Sequence, residues 1–163
     1  MKPLLRFCVT TSLGIWLGAS IFLLLITSAL FSRMPDVAGR VASLALPVYY
    51  KTGAICALVA LASVILSALY PWQESWAKRL TPVVLMLALA GVNYYAGWVV
   101  LPQAREARLR VHEYESSSAE QPARVAKARE RFRKLHRLSI RLLGVVFFLL
   151  AVTLLFSAFA LRM

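Results

Sequence analysis

Long apolar runs alternate with short polar connections along this chain. The runs cover residues 9–31, 48–70, 80–101 and 139–161. Each reaches the roughly 20 residues that a helix needs to cross the hydrocarbon core of a bilayer. The apolar content sits in these blocks rather than in the alternation of half-buried strands. The pattern predicts an all-α protein: a four-helix transmembrane bundle, and one integral membrane domain over residues 1–163.

The connections carry patterns of their own. Between Ser32 and Pro47, Val37, Val41, Leu44 and Ala45 form an apolar stripe beside Arg40. That spacing predicts a short interfacial helix lying on the bilayer after span 1. Tyr49 and Tyr50 follow, where an aromatic belt is expected. Pro71 to Trp76 reads as a turn with two interfacial tryptophans, Trp72 and Trp76. Pro82 is expected in the first turn of span 3, where a missing N–H is tolerated.

Residues 102–138 form the longest connection. Ala104, Ala107, Val111 and Tyr114 mark one helical face, and Val125, Ala128, Phe132 and Leu135 mark a second. Ser116-Ser117-Ser118 separates them, and Pro122 suits the first turn of a helix capped by Ser118 or Glu120. A basic helical hairpin between spans 3 and 4 is predicted, its second arm running unbroken into span 4.

Small residues mark packing faces. Thr10, Gly14 and Gly18 stand four apart on one face of span 1, and Gly53, Cys56 and Ala57 open span 2. With Gly97 in span 3, these positions let helix backbones approach closely in lipid. The Gly14–Gly18 face serves either a neighbour within the chain or a second copy in a homo-oligomer.

Charge sets the orientation. The chain is 60% hydrophobic and 16% charged, and its formal charge is +12. Eleven of its nineteen Lys and Arg residues fall between Arg105 and Arg141. Cations beside apolar spans point to anionic lipid headgroups, at roughly 1 kcal/mol per residue near the surface, rather than to nucleic acid. Arg33, Arg40, Lys51 and the hairpin outnumber Lys2, Arg6, Lys78, Arg79 and Arg162 by more than two to one. The positive-inside bias then puts the 102–138 hairpin in the cytoplasm and both termini outside. A bacterial inner membrane is the expected location. The first run is about twice the length of a signal-peptide core, so an uncleaved span is expected.

Chemistry is sparse. Cys8 and Cys56 fall near opposite membrane faces and are expected to stay unpaired. No Asp or Glu lies inside a span, and no His or Cys pair stands at metal-ligand spacing. No catalytic, cofactor or metal residues are assigned, and the chain is not expected to be an enzyme. Asn93 is the one strongly polar side chain deep within a span. Together with Arg105, His136, Arg137 and Ser139 it makes a candidate polar cluster near the cytoplasmic end of spans 3 and 4. Arg105 and Arg137 would suit an anion or a lipid headgroup.

Several short motifs are shared with a known family. They are Gly14 and Gly18, Leu30-Phe31 with Pro35, Ala38-Gly39-Arg40, and Pro47-Val48-Tyr49-Tyr50. Further on come Asn93, Leu101-Pro102 with Arg105 and Arg108, Phe132, Leu135-His136-Arg137 and Ser139. In these the chain resembles domain-of-unknown-function family 4149, bacterial relatives of transmembrane protein 205. It departs from the pattern at Ser28 and Ala29, where a proline is expected, and at Leu142 and Leu143, where a polar residue is. The resemblance implies a four-span helical membrane protein without an established activity. In layout it is similar to four-span copper-resistance and haem-linked proteins, but the chain lacks paired Met ligands and has no histidine inside a span. Two functions stand open: solute or metal handling through the polar cluster, or a non-catalytic scaffold whose hairpin binds acidic lipids or a protein partner. A haem-linked redox role is the third and weakest.

Overall fold

A computed structural model describes residues 2–69, 76–116 and 122–160. Helix α1 spans Lys2–Arg33 and α2 spans Pro35–Leu69. Helix α3 spans Trp76–Tyr94, a π-helical segment covers Tyr95–Val100, and α4 spans Leu101–Ser116. Helix α5 spans Pro122–Ala160. Four helical stretches are long and apolar enough to cross a membrane. Phe22, Leu25, Ile55, Leu58 and Phe148 stay 64–67% exposed on their outer faces. Apolar surface on that scale is matched by lipid and penalised by water, and the fold is that of an integral membrane protein.

Two long helical hairpins make the bundle. In the first, α1 turns into α2 at Met34 alone. The residue before a proline is pushed out of the α region, and Pro35 opens α2 as its first residue, where no N–H is needed. The Met34 carbonyl accepts from the Ala38 N–H at 2.9 Å and starts the new helix. In the second hairpin, α3, the π segment and α4 run on as one rod, which packs along α5. Helix α5 is 39 residues long, or about 58 Å at 1.5 Å per residue. The expected continuity of the second hairpin arm with span 4 is therefore observed.

The core lies where α1, α2, α3 and α5 meet. Leu13, Trp16, Met86, Leu89, Val146 and Leu150 are fully buried there. Hydroxyls in the apolar helices are satisfied locally, as lipid requires. Thr27 donates to the Leu23 carbonyl at 2.6 Å, Ser63 to Val59 at 2.8 Å and Thr153 to Leu149 at 2.6 Å.

Three expectations are corrected. The separate interfacial helix is absent: Val37 to Ala45 form the first turns of α2, which continues through Pro47. A proline within a helix leaves the carbonyl one turn back without its N–H donor, and here Arg105 supplies one. Tyr49 and Tyr50 are 5% and 3% exposed, core residues rather than an aromatic belt. The belt at that level is made by Tyr94, Tyr95 and Trp98, all on the lipid side. Pro82 lies inside α3, because the helix begins at Trp76. The Trp72 turn, the Ser117-Ser118 break and the Ser118 or Glu120 cap lie outside the described residues.

The hairpin arms meet along the stripes read from the sequence. Ala107 is buried, and Ala104, Val111, Val125, Ala128, Phe132 and Leu135 are half-buried. Arg105, Arg110, Arg129, Arg131 and Arg133 stay on the outside.

Close approach of α2 to the α3–α4 rod depends on Gly97. A Cβ at that position would sit 2.7 Å from the Tyr50 Cβ. By contrast, nothing lies within 4 Å of a Cβ built on Gly91. Gly97→Ala is expected to lower the unfolding free energy in detergent by about 1–3 kcal/mol. Gly91→Ala should leave it unchanged or slightly raised. Thermal melts of the two variants side by side check both.

Candidate functional site

Helix α2 and the α3–α4 rod run antiparallel, in contact from the bundle core out to the basic arm. Along that seam Gly53 faces Asn93, Tyr50 faces Gly97, Ser43 faces Arg105 and Gly39 faces Arg108. The first and last steps are about one helical turn and the middle one about two, so the polar groups form a ladder along the seam from the core to the basic arm.

The inner rungs are buried. The Asn93 side chain is 1% exposed and donates from Nδ2 to the Tyr50 carbonyl at 3.2 Å. Among the described residues its Oδ1 has no partner by hydrogen-bond geometry, and neither has Nε1 of the buried Trp16, which lies near the Tyr49 hydroxyl. Both point at Gly53: a Cβ there would lie 2.7 Å from Trp16 Nε1 and 2.9 Å from Asn93 Oδ1. A donor from α1 and an acceptor from α3 thus converge over a residue of α2 that has no side chain. Beside them Ser20 Oγ donates to the Trp16 carbonyl at 2.8 Å and lies 2.9 Å from Tyr49 Oη.

The outer rungs are made by two prolines and two arginines. Pro47 has no N–H, so the carbonyl one turn back, at Ser43, loses its intrahelical donor. Arg105 Nη2 donates to that carbonyl from across the seam. One turn further out, Arg108 Nη1 donates to the Gly39 carbonyl at 2.8 Å. Gly39 admits it: a Cβ there would be 2.9 Å from Arg108 Nη2. On the rod, Pro102 removes a donor in its turn, and the backbone responds with the π segment just before it. The Leu101 N–H reaches back to the Ala96 carbonyl, five residues away. Such π adjustments absorb prolines in membrane helices and recur at functional positions.

Between the two prolines lies a groove of about 160 Å³, lined by Pro47, Lys51, Gly97, Trp98, Pro102 and Arg105, with Tyr50 and Leu101 closing it. It carries two cations and no carboxylate. Trp98 stacks on Tyr94 at 5.4 Å between ring centroids, at its lipid edge.

Of the five residues in the candidate cluster, the structure sets Asn93 and Arg105 along one seam, three turns apart. His136 and Arg137 stand exposed on α5, and Ser139 is half-buried. His136 stacks on Phe132 at 5.8 Å. Among the described residues no hydrogen bond joins these three to Asn93 or Arg105. Gly53, Ala57 and Gly97 sit at helix contacts, whereas Gly14 and Gly18 open outward with nothing within 4 Å of a built Cβ. Sequence reasoning did not assign Lys51, Trp98, Arg108 or Trp16 to the site. A proline inside an apolar run was the available signal for the outer rungs, since it demands a donor from a partner helix. Trp16 carries no comparable mark.

These features define a four-span helical membrane protein with a polar seam that opens into a cationic groove. The family model described as Domain of unknown function (DUF4149) matches residues 11–112, and the chain belongs to that family. The match takes in the whole seam, from Trp16 to Arg108. No curated protein and no solved structure matches the chain.

If Arg105 replaces the donor that Pro47 removes, the two positions are energetically coupled. Arg105→Met is expected to cost about 0.5–1.5 kcal/mol, the net worth of one hydrogen bond. In a P47A background position 47 regains its N–H, and the same substitution should cost less than half as much. A double-mutant cycle in detergent measures the coupling directly.

Proposed function

We propose that this protein is a non-catalytic membrane scaffold that holds anionic lipid against its bundle. In this reading the 102–138 hairpin lies in the cytoplasm, both termini lie outside, and the membrane is a bacterial inner membrane. The observation that carries it is the distribution of cations: basic side chains leave the bundle on the exposed faces of α4 and α5, beside the membrane-facing aromatics. The few acidic residues there are partly spent within the arms, Glu106 on Arg110 at 2.5 Å and Glu130 on Lys134 at 2.8 Å. Exposed pairs of that kind contribute little to stability. The net positive charge of the two arms acts on the surface potential of an anionic leaflet.

A second reading, solute handling through the buried seam, rests on Trp16 Nε1 and Asn93 Oδ1, which among the described residues meet no partner by hydrogen-bond geometry. Metal handling has less support, since no three His, Cys, Asp or Glu side chains converge among the described residues. Asn93→Ala separates the solute reading from a structural one: loss of solute tolerance with normal membrane levels and melting temperature favours handling.

Two measurements test the scaffold reading. With Cys8 and Cys56 replaced by Ser, a thiol introduced by Ala123→Cys should react with membrane-impermeant reagent only after the inner face is opened. Neutralising Lys127, Arg131, Arg133 and Lys134 to Gln should lower the share of anionic lipid that copurifies with the protein. Labelling of intact cells at position 123, or an unchanged lipid share, would contradict the proposal.

A further inference from the structure

We infer that the groove between Pro47 and Pro102 is a specific site for one anionic glycerophospholipid, whose phosphate is held by Lys51 and Arg105. This rests on the scaffold reading only in placing the groove at an anionic leaflet.

The first argument is charge. Lys51 comes from α2 and Arg105 from α4, and no carboxylate lines the space between them. The Ser43 carbonyl holds the Arg105 guanidinium through Nη2. A guanidinium has five N–H donors in a fixed fork, so the same contact that anchors it leaves donors for an anion. A guanidinium locked in place binds phosphate at a smaller entropic cost than a free one. The volume, about 160 Å³, suits a phosphate with its glycerol backbone rather than a whole lipid.

The second argument is what leads away from the groove. On α2, Ile55 and Leu58 stand four and seven residues beyond Lys51 on the same outward face, 64% and 67% exposed. On the rod, Leu87, Tyr94 and Trp98 form a matching exposed stripe. Lys51 therefore interrupts an apolar face of α2 that continues into the membrane at Ile55 and Leu58, and Trp98 stands at the head of the stripe on the rod. A soluble phosphate has no use for either track. A phospholipid lays one acyl chain on each while its phosphate meets the cations. The Trp98–Tyr94 stack marks the depth where headgroup and chain meet.

Native mass spectrometry of the protein released from vesicles of phosphatidylcholine with a minor fraction of phosphatidylglycerol tests this. The expected result is one phosphatidylglycerol retained per chain, with retention falling about tenfold in Lys51→Gln, the loss of one charge-assisted contact. Arg105→Gln should lose it too, but it also strands the Ser43 carbonyl, so Lys51→Gln with an unchanged melt is the deciding variant. The variant with Lys127, Arg131, Arg133 and Lys134 neutralised should keep its single bound lipid even as bulk anionic lipid falls. Equal retention in Lys51→Gln, equal retention of phosphatidylcholine, or displacement by inorganic phosphate would each overturn the site. A bound lipid that also leaves with the hairpin charges would overturn it in favour of the hairpin surface alone.

Discussion

The arginine on α4 that caps a carbonyl on α2 is the contact on which the rest of this structure depends. A proline strands the carbonyl one turn back, and a donor from a neighbouring helix can take the place of the missing N–H. Pro47 sits in the middle of a helix entering the membrane, and the carbonyl behind it has to be met by some other donor. Arg105 meets it. That one requirement brings α4 against α2, keeps α2 continuous from Pro35 to Leu69, and fixes the register in which Gly97 meets Tyr50 and Asn93 reaches the Tyr50 carbonyl.

The groove follows from the same requirement. Two prolines face each other across the seam, and each thins the backbone hydrogen bonding of its own helix. The rod answers with a π segment and α2 answers with a borrowed guanidinium. What remains is a cationic recess at the level of the exposed tyrosines and Trp98. The exposed Arg105, held by the Ser43 carbonyl, is a fixed positive charge at the mouth of that recess.

Much of the architecture could be read from hydropathy alone. Length and apolarity are what the bilayer selects, so the four spans and the basic hairpin are visible one residue at a time. Pro47 misled because a proline is a helix terminator by local rules, and the donor that rescues it is 58 residues away at Arg105. Tyr49 and Tyr50 misled for a related reason: their position after a connection suggested the membrane edge, yet Ser20 and Gly97 on other helices draw them into the core. Within the candidate cluster, Asn93 was found because polarity inside an apolar run is conspicuous, and Arg105 because it follows directly on the end of span 3. Their separation from His136 and Arg137 was not legible, because it is set by the rotation of α5, which no local pattern encodes. Lys51 carries no mark of a site in the sequence, because its partner in the groove, Arg105, comes from another helix.

The most direct test is spectroscopic, on the single carbonyl on which the account turns. An isotope-edited infrared spectrum of the protein in bilayers, labelled at the Ser43 carbonyl, should show a band at the low frequency of a carbonyl bonded to a charged donor. The same label at Ser43 in Arg105→Met should move to higher frequency. A Ser43 band that is already at the position of an unbonded carbonyl, or one indifferent to Arg105, would contradict the account.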